Sequence, residues 1–344
     1  MSRMLRIFMS LAMPCAMAGS VFAFGGLAPA RATPLNIGAS VSINTDLRVN
    51  GGIVSDDITP TLSVLTALTG GVDSAVDDGS AVNAADSFSQ VGNPFTDPPT
   101  PFIATAFDET VQPDGDRARG FYYIESTITP DDNQKPAVLD RTLTSTAELD
   151  FADVDTDASA ASSFELGRDL VLTNTSDMTA YAFSISTGFD YDLAASADAL
   201  GSQSIAEAVF TLSFITSGTV FLSDPAALLQ SNMIDDSDPG VSATQNLVTS
   251  NALFDGVHYR ASVSATGTGA PTEASLSAVG QFLFSVMMAP GSSLRLSFFQ
   301  SENTMTSYVE PPVSEVPLPA SALLFLGGLG VFAGAKKRRG RPVL

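Results

Sequence analysis

The chain has no tryptophan, one cysteine and one histidine in 344 residues, and its 16 Lys and Arg face 37 Asp and Glu. Each shortage excludes something. A lone Cys15 leaves no disulfide framework, and no Cys/His zinc cluster can be assembled. A lone His258 leaves a catalytic triad one possible base, and no nucleophile elbow accompanies it. His258 sits in a strand-like alternation, His258-Tyr259-Arg260-Ala261-Ser262-Val263, whose ordinary reading is a structural or surface histidine. The absence of tryptophan weakens a sugar-cleft reading, although six Tyr remain. No Gly-rich phosphate loop is present.

Basic residues are scarce in the middle of the chain. All 37 acids lie between Asp46 and Glu315, where only eight Lys and Arg accompany them, a net of −29. Such a segment repels nucleic acid and anionic headgroups, so no nucleic-acid partner is expected. Long helical periodicity is also missing. Tyr181, Phe183, Ile185, Phe189, Tyr191 and Leu193 alternate with Ala182, Ser184, Ser186, Asp190 and Asp192. Period two places the apolar set on one strand face and the acids on the other. Leu170 to Thr173, the turn cluster Asn174-Thr175-Ser176-Asp177, and the strand from Thr179 to Leu193 read as a hairpin. Phe282, Phe284, Val286 and Met288, the turn Ala289-Pro290-Gly291-Ser292, and Leu294, Leu296 and Phe298 read as a second. Further strands are expected at Gly120 to Thr129, Ala208 to Thr216, Thr219 to Leu222 and His258 to Ala265. The expected fold is all-β, an antiparallel β-sandwich body. Two short helices are expected, from Asp224-Pro225 to about Gln230 and over Thr61 to Leu68, with a long loop over 70–101.

Candidate chemistry is sparse. Asp153, Asp155 and Asp157 have the D-x-D-x-D spacing that opens an EF-hand loop. Ala158 stands where the loop needs glycine, and Phe164 where it needs a bidentate Glu. A second acidic turn is Asp235-Asp236-Ser237-Asp238-Pro239-Gly240. The reading preferred for these acids is a solvated face, with weak Ca²⁺ binding at Asp153, Asp155 and Asp157 as the alternative. No catalytic residue and no other cofactor is expected. No pair among the 37 acids stands out as the two carboxylates of a glycosidase.

The ends of the chain are more specific. Arg3 and Arg6 precede an almost wholly apolar or small stretch from Ile7 to Phe24, and small-x-small sites follow at Ala28-Pro29-Ala30 and Ala30-Arg31-Ala32. This is the pattern of a secretory signal peptide over 1–32, with a retained N-terminal helix as the alternative. Pro14 argues against lipidation of Cys15. The body is then 33–309, followed by a proline-stiffened linker, 310–315. At the far end stand Val316, Pro317, Leu318, Pro319 and Ala320, an apolar run to Ala335, and the basic block Lys336, Lys337, Arg338, Arg339 and Arg341. Pro317 and Pro319 hold the motif extended and accessible. Residues 320–335 span about 24 Å as a helix at ~1.5 Å per residue, short of a hydrocarbon core of about 30 Å. The glycines Gly327, Gly328, Gly330 and Gly334 weaken that span as an anchor, and the basic block keeps its end cytoplasmic by the positive-inside rule.

These three parts, in this order, resemble the PEP-CTERM class of C-terminal sorting domains in its VPLPA variant. The resemblance covers only 316–344. It implies an exported protein of a Gram-negative, polysaccharide-producing bacterium, with signal peptidase, the secretion machinery and an exosortase-type membrane enzyme as partners. It also implies transient inner-membrane anchoring through 320–335 and delivery to the cell surface, extracellular polysaccharide matrix or biofilm. An uncut tail anchor and a sortase-like Leu318-Pro319-Ala320-Ser321-Ala322 site are the alternatives. The expectation is a noncatalytic surface protein. A secreted hydrolase of extracellular polymer and a calcium-dependent adhesin are the competing classes.

Overall fold

The inward positions of this chain recur every second residue over strands of up to 17 residues, and that pattern builds two large sheets. The computed structural model describes residues 35–50, 56–62, 67–76, 84–86, 102–112, 115–130, 136–151, 157–223, 226–233, 239–251 and 254–310. Among them are sixteen strands and no helix. In chain order these are β1 (Leu35–Asn50), β2 (Ile58–Leu62), β3 (Ala67–Val76), β4 (Ala84–Asp86), β5 (Phe102–Val111), β6 (Arg117–Pro130), β7 (Pro136–Phe151) and β8 (Ala158–Asn174). They continue with β9 (Tyr181–Ala197), β10 (Ser202–Ser217), β11 (Val220–Leu222), β12 (Ala226–Met233), β13 (Val241–Asn251), β14 (Phe254–Thr266), β15 (Thr272–Met288) and β16 (Ser293–Tyr308).

One sheet runs β11-β15-β9-β1-β7-β6-β5, with β12 also paired to β15. The other runs β13-β14-β10-β16-β8-β3-β4, with β2 also paired to β8. Every ladder is antiparallel. The sheets lie face to face, β9 over β10 and β14, β1 over β10 and β16, β7 over β16 and β8. The all-β antiparallel expectation therefore stands.

Several local expectations do not. Both anticipated hairpins are arches between sheets. β8 pairs with β16, β3 and β2 in one sheet, whereas β9 pairs with β1 and β15 in the other. β15 and β16 are likewise split. The turn itself forms as expected, with Gly291 at φ 69° and the Ser292 amide donating to the Ala289 carbonyl at 3.2 Å. Its outward bonds hold it as an arch: Gly291 N–H donates to the Asn174 carbonyl (3.0 Å), and Asn174 N–H to the Ser292 carbonyl (2.9 Å). Alternation reports which side chains face the core, and facing strands of two sheets share that pattern with paired strands of one. The helix expected through Gln230 is instead strand β12, recruited by the β15 edge, and the helix expected over Thr61 to Leu68 falls partly in β2 and β3. The long loop over 70–101 is corrected at its start, where Gly70 to Val76 belong to β3, and at β4.

The core is aromatic at its centre. Phe189 stacks on Tyr259 at 4.5 Å between ring centroids and touches Tyr191, Phe210 and Phe282. Its ring fills the space beside Gly280, where an added Cβ would come within 2.4 Å of Cζ. Toward one end a buried hydroxyl seam crosses the interior. Ser145 Oγ lies 2.9 Å from Thr304 Oγ1, which reaches the Ser162 carbonyl at 3.3 Å. Beyond it a smaller cluster holds Ile37, Leu149, Phe151, Ala160 and Tyr308.

Arg141, Arg168 and Glu302 lie buried in this interior. Arg141 lies over the Phe298 ring at 4.2 Å and donates to Gln300 Oε1 at 3.3 Å, and Gln300 Nε2 donates to Thr45 Oγ1 at 2.9 Å. Burial, and then the charge of Arg168, pull the Arg141 guanidinium well below its usual value, and burial takes Arg168 down to about 10. Glu302 is 3% exposed, next in the inward row after Gln300, and pairs across its ladders with Ala208 and Phe164. Neither of its carboxyl oxygens has a hydrogen-bond partner. Burial pushes its carboxyl well above the usual carboxylate range.

The folded chain binds the Glu302 proton more tightly than the unfolded one, so stability falls as pH rises from the ordinary Glu value of about 4.3 toward the raised value. Glu302→Gln removes the titrating proton, so it is expected to flatten that pH dependence and to raise stability at neutral pH relative to the wild-type chain. Urea melts between pH 4 and 8 measure both; an unchanged slope in the variant would assign the dependence to other groups.

Candidate functional site

A chemically varied surface among the described residues is the outer face of the β7-β1-β9-β15 region. Outward positions on these strands carry short polar side chains, and strand register brings acids together that are far apart in sequence. Asp46 of β1 stands directly opposite Asp140 of β7 on one side and Gly188 of β9 on the other. Asn44, one outward position along, stands between Thr142 and Asp190. The missing side chain at Gly188 opens the floor. A Cβ there would lie 2.7 Å from Asp46 Oδ1. Two shallow depressions of about 380 and 440 Å³ meet at Asp46, Gly188 and Gln281. Asp140 and Asp190 line the first, and Arg48, Leu228 and Leu283 the second.

Like charges directly opposite one another cost stability, and Arg48 offsets this, its Nε donating to Asp46 Oδ2 at 2.7 Å. Partial burial raises the Asp140 carboxyl, with Arg48 lowering it and Asp46 raising it. Partial burial and then Asp192 raise Asp190. Asp192 Oδ1 accepts from Ser277 Oγ at 2.6 Å. The groove thus offers carboxylate acceptors on one side and exposed Leu228, Val279 and Leu283 on the other. That combination suits hydroxyl donors carried on an apolar ring or chain. Among the described residues no group of three or more His, Cys, Asp and Glu is arranged to hold a metal ion.

The residues singled out in the sequence lie elsewhere. Asp157 is exposed just before β8, and its Oδ1 accepts from the Glu310 amide at 2.8 Å, tying the start of β8 to the end of β16. Asp153 and Asp155 lie outside the described residues, as do Asp235, Asp236 and Asp238, the signal segment 1–32, the motif Val316 to Ala320, the span 320–335 and the basic block Lys336 to Arg341. His258 is half-buried on β14, in the opposite sheet from the groove, with Nδ1 2.9 Å from Thr211 Oγ1. Asp190 was legible as an outward acid. Asp46, Asp140 and Gly188 were not, because only register puts residues 94 and 142 positions apart side by side.

If the groove acts as one electrostatic unit, its carboxylates move together. Arg48→Ala is expected to raise the Asp140 pKa further, and Asp46→Asn to lower it. Side-chain carboxyl NMR titration reads both; an Asp140 titration unmoved by either change would show independently solvated acids.

No family model, curated protein or solved structure matches this chain.

Proposed function

We propose that this chain is an exported, noncatalytic protein of the cell surface or extracellular matrix, with a β-sandwich body delivered through a C-terminal sorting signal of the exosortase type. The single observation that carries this reading is the ordered tail: Val316 to Ala320, a short glycine-weakened apolar run, and five basic residues in six positions. The apolar run is short for a durable anchor, and proline on both sides of Leu318 disfavours a helix through the motif. Processing at or near Val316 to Ala320 accounts for both features.

The body supports the same assignment. Its strands need no disulfide and leave a strongly acidic, hydroxyl-rich exterior. The chain leaves the paired strands at a fixed point. The Val309 amide donates to the Gly201 carbonyl at 3.2 Å, and Glu310 is held by Asp157. The described chain therefore ends, at Glu310, tied to the body. Within this reading, the carboxylate groove over Gly188 is the surface we assign to contact with hydroxyl-rich matrix polymer.

Intact mass of the surface-released protein tests the assignment. The expected mass lacks 1–32 and ends within Val316 to Ala320, or carries an increment there. A mass retaining Lys336 to Leu344 overturns it.

A further inference from the structure

β5 closes one sheet with a free side, since among the described residues no strand pairs with it other than β6. It is ten residues long, and a long edge of unpaired backbone N–H and C=O groups is a template for another strand. Its outward row is apolar where most of this protein's surface is polar: Ile103 is 53% exposed, Phe107 58% and Val111 52%. Beside Phe107 on β6 stands Phe121.

The spacing of that row is symmetric. Ile103 and Val111 each lie four positions from Phe107. An antiparallel copy of β5 placed with its dyad at Phe107 would set Phe107 against Phe107, Ile103 against Val111, Thr105 against Glu109 and Ala106 against Asp108. All three apolar residues meet apolar partners, and no acid meets an acid. Moving the dyad to Asp108 or Glu109 puts like charges opposite one another, at a cost. Moving it to Ala106 sets Ile103 against Glu109. Odd offsets place outward residues against inward ones. One register is therefore favoured by charge and by apolar matching together, and it is the isologous arrangement that a two-fold dimer requires.

We propose that two copies of this chain associate through β5, antiparallel about Phe107, joining their sheets into one continuous sheet. The occupant of the edge is a second copy because the edge is complementary to itself. The pairing does not depend on how the chain is sorted. A single strand pair makes a small interface beside the ~1,200–2,000 Å² of stable complexes, so the dimer is reversible and favoured where the protein is concentrated.

Cysteine scanning of the full chain in a Cys15→Ser background tests the register. Directly opposed residues have Cα atoms about 4.5–5.5 Å apart, within disulfide reach. In the proposed pairing the two copies of residue 105 are offset by four positions, about 13 Å along the strand, beyond that reach. Under mild oxidation Phe107→Cys is expected to give a disulfide-linked dimer and Thr105→Cys none, while a mixture of Thr105→Cys and Glu109→Cys chains cross-links. Equal cross-linking by Phe107→Cys and Thr105→Cys, or by neither, overturns the proposal. Phe107→Lys, at an exposed position, is expected to keep the β circular dichroism signal and lose the dimer in sedimentation. A wild-type chain that sediments as a monomer at tens of micromolar also overturns it.

Discussion

Long-range register is the constraint on which this body depends. Strands of 16 or 17 residues alternate inward and outward over most of their length, so a slip of one residue would reverse the faces of a whole strand. On β9 such a slip would drive Asp190 and Asp192 into the aromatic centre and expose Phe189 and Tyr191. On β16 it would exchange Phe298 and Leu296 for Ser297 and Arg295. The cost of those reversals holds the ladders in place, and the ladders then fix the floor at Gly188, the acids beside it and the outward row of β5.

The interior is not uniformly apolar, and its polar parts follow a plan. In the hydroxyl seam Ser145 and Thr304 bond each other, and Thr304 reaches the Ser162 carbonyl. Arg141 is held by a ring face and an amide, a pairing that suits a flat, weakly hydrated guanidinium. Glu302 has no such neighbours and stands as the stressed member of the row. Stability in this protein is thus set by which inward polar positions found partners as much as by the apolar area they interrupt.

Strand content, inward faces and turn chemistry were legible because each is local. Ile185, Phe189 and Tyr191 declare their face within six positions of one another, and Pro290-Gly291 declares its turn within two. Sheet membership was not legible. The residues after Asn174 and after Ala289 could fold back beside their predecessors or across from them, and the deciding bonds, between Asn174 and the 291–292 backbone, join segments over 110 residues apart. β12 was misread for a related reason: Asp224-Pro225 is a sound helix start locally, and the exposed edge of β15 outweighed it. The groove acids share that non-locality.

The position of β16 has a mechanical consequence. It is the last strand of the body, yet it lies in the middle of its sheet, bonded along its whole length to β10 on one side and β8 on the other. Tension entering the body from beyond Glu310 would run along β16, across the direction of its hydrogen bonds. Two full ladders would then have to shear together, whereas an edge strand would peel away one bond at a time. The chain meets any load on its tail with the strand best placed to resist extraction.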